Sequence, residues 1–309
     1  MPNMFLKTSN PKDINPFLKT LYIPPANSHK GQNGKVLIIG GSKLFHAASL
    51  WAAGVASHFA DMVHYASTKE NESVFLALKT MFRNGIVVEQ SQIPNYVRED
   101  DAILIGPGMV RDDKVKSENL KVKNYEEILQ TDNEAEFARQ LTHYLLKSFP
   151  EKRFVIDAGA LQMMSPQWLK YRKNPVIITP HQGEFERLFK TKIADLPIDE
   201  KQNKVKKYAK DYECVILMKA VVDIISDGEE VYVVEGGNQG LTKGGTGDIL
   251  AGLTLSLYAK NDPITSCVLS SFIEKKGAEE LEKEMGYWFN NHDLIRKIPA
   301  IVKNLLDAI

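Results

Sequence analysis

Cysteine is almost absent from this chain: Cys214 and Cys267 are the only two in 309 residues, far apart and without CxxC spacing. A disulfide-built scaffold and a structural zinc cluster are thereby excluded, and a reducing cytoplasm fits. Charge of one sign is not in excess either, since 39 Lys and Arg balance 39 Asp and Glu. Proteins that hold nucleic acid usually carry a basic excess, so no nucleic-acid partner is expected. No run approaches the roughly 18 apolar residues of a membrane span. The amino terminus, MPNMFLKTSNPKDINPFLKT, has no apolar core of signal-peptide length. Three signatures are missing as well: GxxxxGK[ST], a strand-borne GxGxxG and HExxH. Their absence removes the P-loop, the conventional dinucleotide fold and the zinc-protease site. The chain reads as a soluble, cytoplasmic protein without a membrane partner.

What is present is a repeated grammar of apolar strand, tight turn and helix. Val36–Ile39 is closed by Gly40-Gly41-Ser42, and helical periodicity follows over His46–Asp61. Ala102–Ile105 precedes Gly106-Pro107-Gly108, Phe154–Ile156 precedes Asp157-Ala158-Gly159, and Val176–Ile178 precedes Thr179-Pro180-His181. Continuously apolar strands, each followed by a helix, predict a parallel sheet covered by helices on both faces. Later runs, Cys214–Met218, Val221–Ile225 and Val231–Val234, have Asp227-Gly228 between the last two. That dipeptide predicts an antiparallel hairpin at one edge of the sheet. The fold class is therefore α/β, a three-layer sandwich. Residues 1–30 read as an amino-terminal arm, irregular or briefly helical, and 31–309 as a single domain. The charged stretch 110–135 reads as a surface insertion, either a lid or an ordinary solvated excursion.

In an open sheet of this kind, ligands bind outside the carboxyl ends of the parallel strands. Four unusual turns converge there, which predicts a site. The richest segment lies later: residues 235–252, EGGNQGLTKGGTGDILAG, place six glycines before Asp248 and then open into an apolar helical pattern. The unpaired N–H groups and dipole of a helix start favour a phosphate. An acid at that point would repel the anion unless it handles a proton, so Asp248 reads as a base at a phosphoryl-transfer site, with helix capping as the alternative. His181 is read as a hydrogen-bond donor to a ligand or as a structural histidine. Glu184 is read as a ligand to Mg²⁺ through water or as a first-turn acid matching the helix dipole. Lys219, closing a strand, pairs with a nucleotide phosphate or is a surface lysine.

Taken together, these segments resemble the ADP/ATP-dependent NAD(P)H-hydrate dehydratases, a branch of the ribokinase-like superfamily. The resemblance rests on His29-Lys30-Gly31, Val36–Ser42, Gly106-Pro107-Gly108, Asp157–Leu161, Thr179–Phe185 and Gly237-Asn238-Gln239-Gly240 through Gly252. It spans roughly residues 29–260. The chain departs from the family pattern at Phe45, Ala47, Gly159, Ala220, Gln239 and Thr242. The resemblance implies a ribokinase-like domain that returns hydrated NADH or NADPH to NADH or NADPH, with ADP or ATP as phosphoryl donor and Mg²⁺ as cofactor. It implies Asp248 as catalytic base and the N–H groups of Gly245, Thr246 and Gly247 as the anion hole. Ala48, Gly106, Gly108, His181 and Asp248 would meet the hydrate. Lys219, Ala220, Val221, Val222, Asp223, Asn238, Gly244 and Gly247 would meet the nucleotide. Family members are often homo-oligomers, so a homo-oligomer is expected. Two other readings fit the same loop: a kinase for a sugar or a hydroxymethyl-pyrimidine, and a nucleotide-binding protein without catalysis.

Overall fold

The computed structural model describes residues 4–68, 71, 83–114, 124–170 and 172–309. Among the described residues, ten strands form one sheet in the order β1-β10-β9-β8-β7-β6-β5-β2-β3-β4. They are β1 Met4–Lys7, β2 Lys35–Ile39, β3 Met62–Ala66, β4 Ile86–Val87, β5 Ala102–Ile105, β6 Arg153–Ile156, β7 Val176–Ile178, β8 Cys214–Met218, β9 Asp223–Ser226 and β10 Val231–Glu235. Strand β9 runs antiparallel to both of its neighbours, and every other pairing is parallel.

The apolar runs become strands because both faces of the sheet are covered. Val36 and Ile38 of β2 face one core, with Leu104, Val155 and Val215, while Leu37 and Ile39 face the other, with Ile105, Ile156 and Ile216. The helices, in chain order, are α1 Asn15–Leu18, α2 Ala48–Ala56, α3 Ile93–Glu99, α4 Tyr125–Leu129, α5 Glu134–Ser148, α6 Ala158–Met163, α7 Gln182–Phe189, α8 Ile198–Tyr212, α9 Thr246–Tyr258, α10 Pro263–Met285 and α11 Asn291–Asp307. Helices α2, α9, α10 and α11 pack on the first core, and α3, α5, α7 and α8 on the second. The three layers match the expected sandwich.

Several local features differ from the expectation. The hairpin of β9 and β10 forms, with Tyr232 opposite Ile225. It does not end the sheet, because β1 of the arm pairs in parallel along β10, Leu6 against Val234. The expected strand Val221–Ile225 starts only at Asp223, because Ala220–Val222 belong to the loop after β8. The helix expected over His46–Asp61 is continuous only from Ala48 to Ala56. In the charged stretch 110–135, residues 115–123 lie outside the described residues. Its end is helical: Asn124 and Glu127 form a reciprocal capping box on α4, and Tyr125 and Ile128 are buried.

Candidate active site

Strands β2, β5, β6, β7 and β8 are parallel, so the turns that follow them emerge along one edge. These turns interlock. Gly41 N–H donates to Pro107 O at 2.7 Å. Gly106 lies so close to the Asp157 carbonyl that a side chain there would overlap it. A methyl built on Gly108 would lie 3.0 Å from Ala48 Cβ. Ala48 and Gly108 are thus neighbours, while Gly106 packs against Asp157 and Ala160.

The glycine loop reaches the same place through helix packing. Helices α2 and α9 approach backbone to backbone, where Gly252 leaves no room for a Cβ against Ala52. This brings Gly245, at the start of α9, against the Trp51 ring. Gly245 has φ of 103°, a left-handed conformation that glycine alone adopts cheaply. Ile249 N–H is bonded to Gly245 O at 3.0 Å. The earlier N–H groups belong to the first turn, where a helix has no carbonyl of its own to offer them. Of the three expected donors, Thr246 N–H is already turned to Lys243 O at 3.4 Å. Its hydroxyl is tied to Leu241 O and Lys243 O at 2.8 and 3.0 Å. The loop is braced from outside by Asn291, whose Nδ2 donates to Gly244 O at 2.9 Å. Lys243 Nζ also reaches the carbonyls of Tyr287 and Phe289.

Charge collects at this junction. Lys219 Nζ donates to Asp157 Oδ1 at 2.7 Å, and Thr179 Oγ1 donates to the same oxygen at 2.8 Å. The side chain of Asp157 is 1 % exposed. Lys219 Nζ would lie 3.2 Å from a Cβ built on Gly247, which places the ammonium beside the first turn of α9. Burial opposes the charge on Lys219, but the carboxylates of Asp157, Glu184 and Asp248 outweigh it and hold the ammonium above its ordinary value. Asp248 moves the other way. Burial, reinforced by the charges of Asp157 and Glu184 and opposed by Lys219, pushes its carboxyl up to about 7. A carboxyl titrating there can exchange a proton near neutral pH. Asp248 does not cap the helix: the cap position is Gly245, and no side-chain capping bond forms there.

His181 and Glu184 serve each other across the start of α7. His181 Nδ1 accepts from Gly183 N–H at 3.0 Å and Glu184 N–H at 3.3 Å, and Glu184 Oε2 accepts from His181 N–H at 2.9 Å. With Nδ1 accepting, the proton of the neutral ring sits on Nε2, which is a donor on a side chain 60 % exposed. The structural reading of His181 is thus seen directly, as the cap of α7. Glu184 is 5 % exposed, and its Oε1 accepts from Gln162 Nε2 at 2.8 Å. Each of its oxygens keeps a second lone pair, so it fits a hydrated magnesium reached through water rather than a bare ion. Among the described residues, no group of three or more His, Cys, Asp or Glu could hold a metal ion directly.

The residues expected on the nucleotide side separate into two kinds. Lys219 and Gly244 lie at the junction, and no atom comes within 4 Å of a Cβ built on Gly244. Val221 is 89 % exposed on the loop after β8; Ala220 and Val222 flank it and are partly buried. Asp223 and Asn238 face inward. Asp223 accepts from Ala220 N–H at 2.8 Å and Ser271 Oγ at 2.7 Å. Asn238 accepts from Gly240 N–H at 2.9 Å and donates to Ala278 O at 2.7 Å, fixing the turn Gln239–Thr242. The supporting side chains Gln162 and Asn291 lie in no motif, so the sequence does not single them out.

A family model described as NAD(P)H-hydrate dehydratase matches residues 36–300. The chain belongs to the NAD(P)H-hydrate dehydratase family. It is 30 % identical over 313 residues to the ADP-dependent (S)-NAD(P)H-hydrate dehydratase of Nitrosopumilus maritimus, covering 94 % of this chain and 97 % of that protein. It is 32 % identical over 295 residues to the bifunctional NAD(P)H-hydrate repair enzyme Nnr of Methanocaldococcus jannaschii, covering 93 % of this chain. The match spans about half, 51 %, of the length of that bifunctional enzyme. Among solved structures, the ADP/ATP-dependent NAD(P)H-hydrate dehydratase of Bacillus subtilis, co-crystallised with ATP/Mg²⁺, superposes with a TM-score of 0.74. That likeness, at 22 % identity over 96 % of this chain and 97 % of the other, concerns the fold. For this family member, no helix among the described residues is long and apolar enough to cross a membrane.

Proposed function

We propose that this chain is a cytoplasmic enzyme that dehydrates hydrated NADH or NADPH at the expense of an adenine nucleotide. The observation that carries the reading is the placement of Asp248, with its raised carboxyl, on the first turn of α9 beside the Lys219 ammonium. Hydroxide leaves a reduced nicotinamide ring poorly, whereas phosphate leaves well. Asp248 takes the proton of the ring hydroxyl, and the oxygen attacks the terminal phosphorus of ADP or ATP. AMP or ADP departs. The carbon–oxygen bond then breaks, phosphate leaves with its electron pair, and the adjacent carbon gives up a proton to restore the ring double bond.

The protein's contribution is positioning and charge. Of the expected donors, the N–H groups of Gly245 and Gly247 face the transferring phosphoryl group, with the helix dipole behind them, while Thr246 N–H stays on Lys243 O. The Lys219 ammonium adds positive charge on the same side. Ala48, Gly106, Gly108 and the Nε2–H of His181 bound the side taken by the hydrate, and the loop Lys219–Val222 bounds the nucleotide. Bound Mg²⁺ would screen the nucleotide phosphates, with Glu184 reaching its water shell.

The test mixes purified protein, Mg²⁺ and freshly hydrated NADH with ADP or ATP in parallel. Recovery of reduced-nicotinamide absorbance with matching release of phosphate is the expected result, and the nucleotide that supports it is the donor. A stable phosphorylated product with no free phosphate would instead make the chain a small-molecule kinase.

A further inference from the structure

The loop that follows β8 is held from below by a buried lysine on a distant helix. Lys275, on α10, is 4 % exposed. Its ammonium has three protons to donate, and three acceptors surround it. They are Ala220 O at 3.3 Å, Val221 O at 3.0 Å and Asp223 Oδ1 at 3.5 Å. All three belong to one short stretch of chain. Asp223, itself 3 % exposed, folds back onto Ala220 N–H and is fixed by Ser271, also on α10. The neighbouring acid, Glu274, is buried and its Oε1 has no hydrogen-bond partner among the described residues. Burial, aided by the charge of Asp223 and opposed by the ammonium of Lys275, pushes Glu274 up to about 8.

This arrangement determines which way the loop faces. Two successive carbonyls, those of Ala220 and Val221, point inward to Lys275, and the Val221 side chain stands out in solvent. A flexible loop would have many alternatives, and an inward carbonyl without a partner would cost about 1–3 kcal/mol. The ammonium removes those alternatives. One residue before Ala220 sits Lys219, whose N–H is tied to Pro180 O at 2.8 Å and whose ammonium meets the first turn of α9.

We infer that Lys275 is a positioning residue for the nucleotide loop: it holds Ala220–Asp223 in the conformation that presents the loop's outer face, and Lys219 beside it, to the adenine nucleotide. The inference rests on the proposed reading of the site. Lys275 lies on the inner side of the loop, opposite the exposed Val221 side chain.

The experiment measures ADP and ATP binding by calorimetry, and steady-state kinetics, in wild type and three variants. Lys275→Met removes the ammonium. Asp223→Asn with Lys275→Met removes both charges, so neither is left buried alone. Ser271→Ala takes away one hydrogen bond and serves as the mild variant. Thermal denaturation runs alongside. For Lys275→Met, nucleotide Kd and KM should rise about tenfold or more, with the hydrate KM unchanged and kcat at saturating nucleotide within about threefold; that split marks lost nucleotide positioning rather than general damage. The double variant should regain thermal stability over Lys275→Met without regaining nucleotide affinity. Ser271→Ala should weaken nucleotide binding about threefold, in line with one lost hydrogen bond. Nucleotide affinity within twofold of wild type in the folded double variant would overturn the inference. So would a proportional loss in both KM values, or, should neither lysine variant fold, wild-type affinity in Ser271→Ala. If wild type binds no adenine nucleotide, the reading of the site falls and this inference with it. If wild type binds and the variants bind equally, this inference alone falls.

Discussion

Lys219 Nζ sits 2.7 Å from Asp157 Oδ1, so the cation beside the glycine loop is already paired before any phosphate arrives. The pair cannot be dissolved from one side. Asp157 is 1 % exposed, and Lys219→Met would leave its carboxylate buried with only the Thr179 hydroxyl. Removing one partner of a buried pair costs about 3–5 kcal/mol; since Lys219 is 18 % exposed, the lower end, about 3 kcal/mol, is expected. Urea denaturation measures it. The same variant has a second signature. Lys219 lowers the Asp248 carboxyl from where burial would leave it, so without the lysine the acid limb of the pH–rate profile should move to higher pH. A limb that stays put would disconnect the two residues.

Asp248→Asn tests the base directly. The amide keeps the size of the side chain but cannot take a proton. Turnover should fall by about 10²–10⁴-fold, the usual contribution of a positioned base, while nucleotide binding is kept. Undiminished turnover would remove Asp248 from the chemistry.

The raised carboxyl of Asp248 also dictates a pH dependence, and its sign follows from the direction of the shift. As a base, Asp248 works only when ionised, so kcat/KM should drop about tenfold per pH unit below about 7. For stability the effect runs the other way. The folded value lies above the ordinary 3.8, so the stability contributed by the protonated group is complete below that value and is lost as pH rises through about 7. Asp248→Asn should therefore be more stable than wild type at pH 8 and no more stable at pH 3.5. Thermal melts at the two pH values make the comparison, and an equal gain at both would contradict the assigned shift.

How much of this was legible beforehand depends on where each signal lies. Val36–Ile39, Ala102–Ile105 and Val176–Ile178 were readable as strands because both faces are buried, which leaves an unbroken apolar run. Strand β1 was not, since only Leu6 of its four residues is buried and the rest read as polar arm. Strand β3 hid behind His64, a polar residue in a core strand, which is tolerated because Asp100 accepts from its ring at 2.9 Å. The ends of the strands announced the site, because tight turns need glycine and proline. What braces those ends left no trace. Asn291 reaches Gly244 across 47 positions of sequence, and Lys275 reaches Ala220 across 55. Asparagine or lysine inside a helix carries no local mark of such a contact. Asp223 shows the opposite difficulty. Its position after Lys219 assigns it to the nucleotide, while its carboxylate is turned into the buried network around Lys275.

The glycine loop offers a graded test of whether its glycines serve the backbone or the ligand. Gly245 has a left-handed backbone, and a methyl there would overlap Asn291 Nδ2 and the Trp51 ring. Gly245→Ala should cost about 2–3 kcal/mol through strain and overpacking, visible as a drop in Tm of roughly 5 °C or more. Gly244 has nothing within 4 Å of its missing Cβ. Gly244→Ala should leave Tm within about a degree, as an open surface change does. Gly247 is the informative member. A methyl there meets only the far end of Lys219, at 3.2 Å, and the backbone needs no left-handed angle. Gly247→Ala should therefore barely change Tm, yet it places a methyl on the first turn of α9 where the phosphoryl group must approach. Nucleotide affinity and turnover should fall in that variant while the melt stays put. If Gly247→Ala instead melts as early as Gly245→Ala and binds nucleotide normally, Gly247 is there for the fold, and the anion site is not at the start of α9.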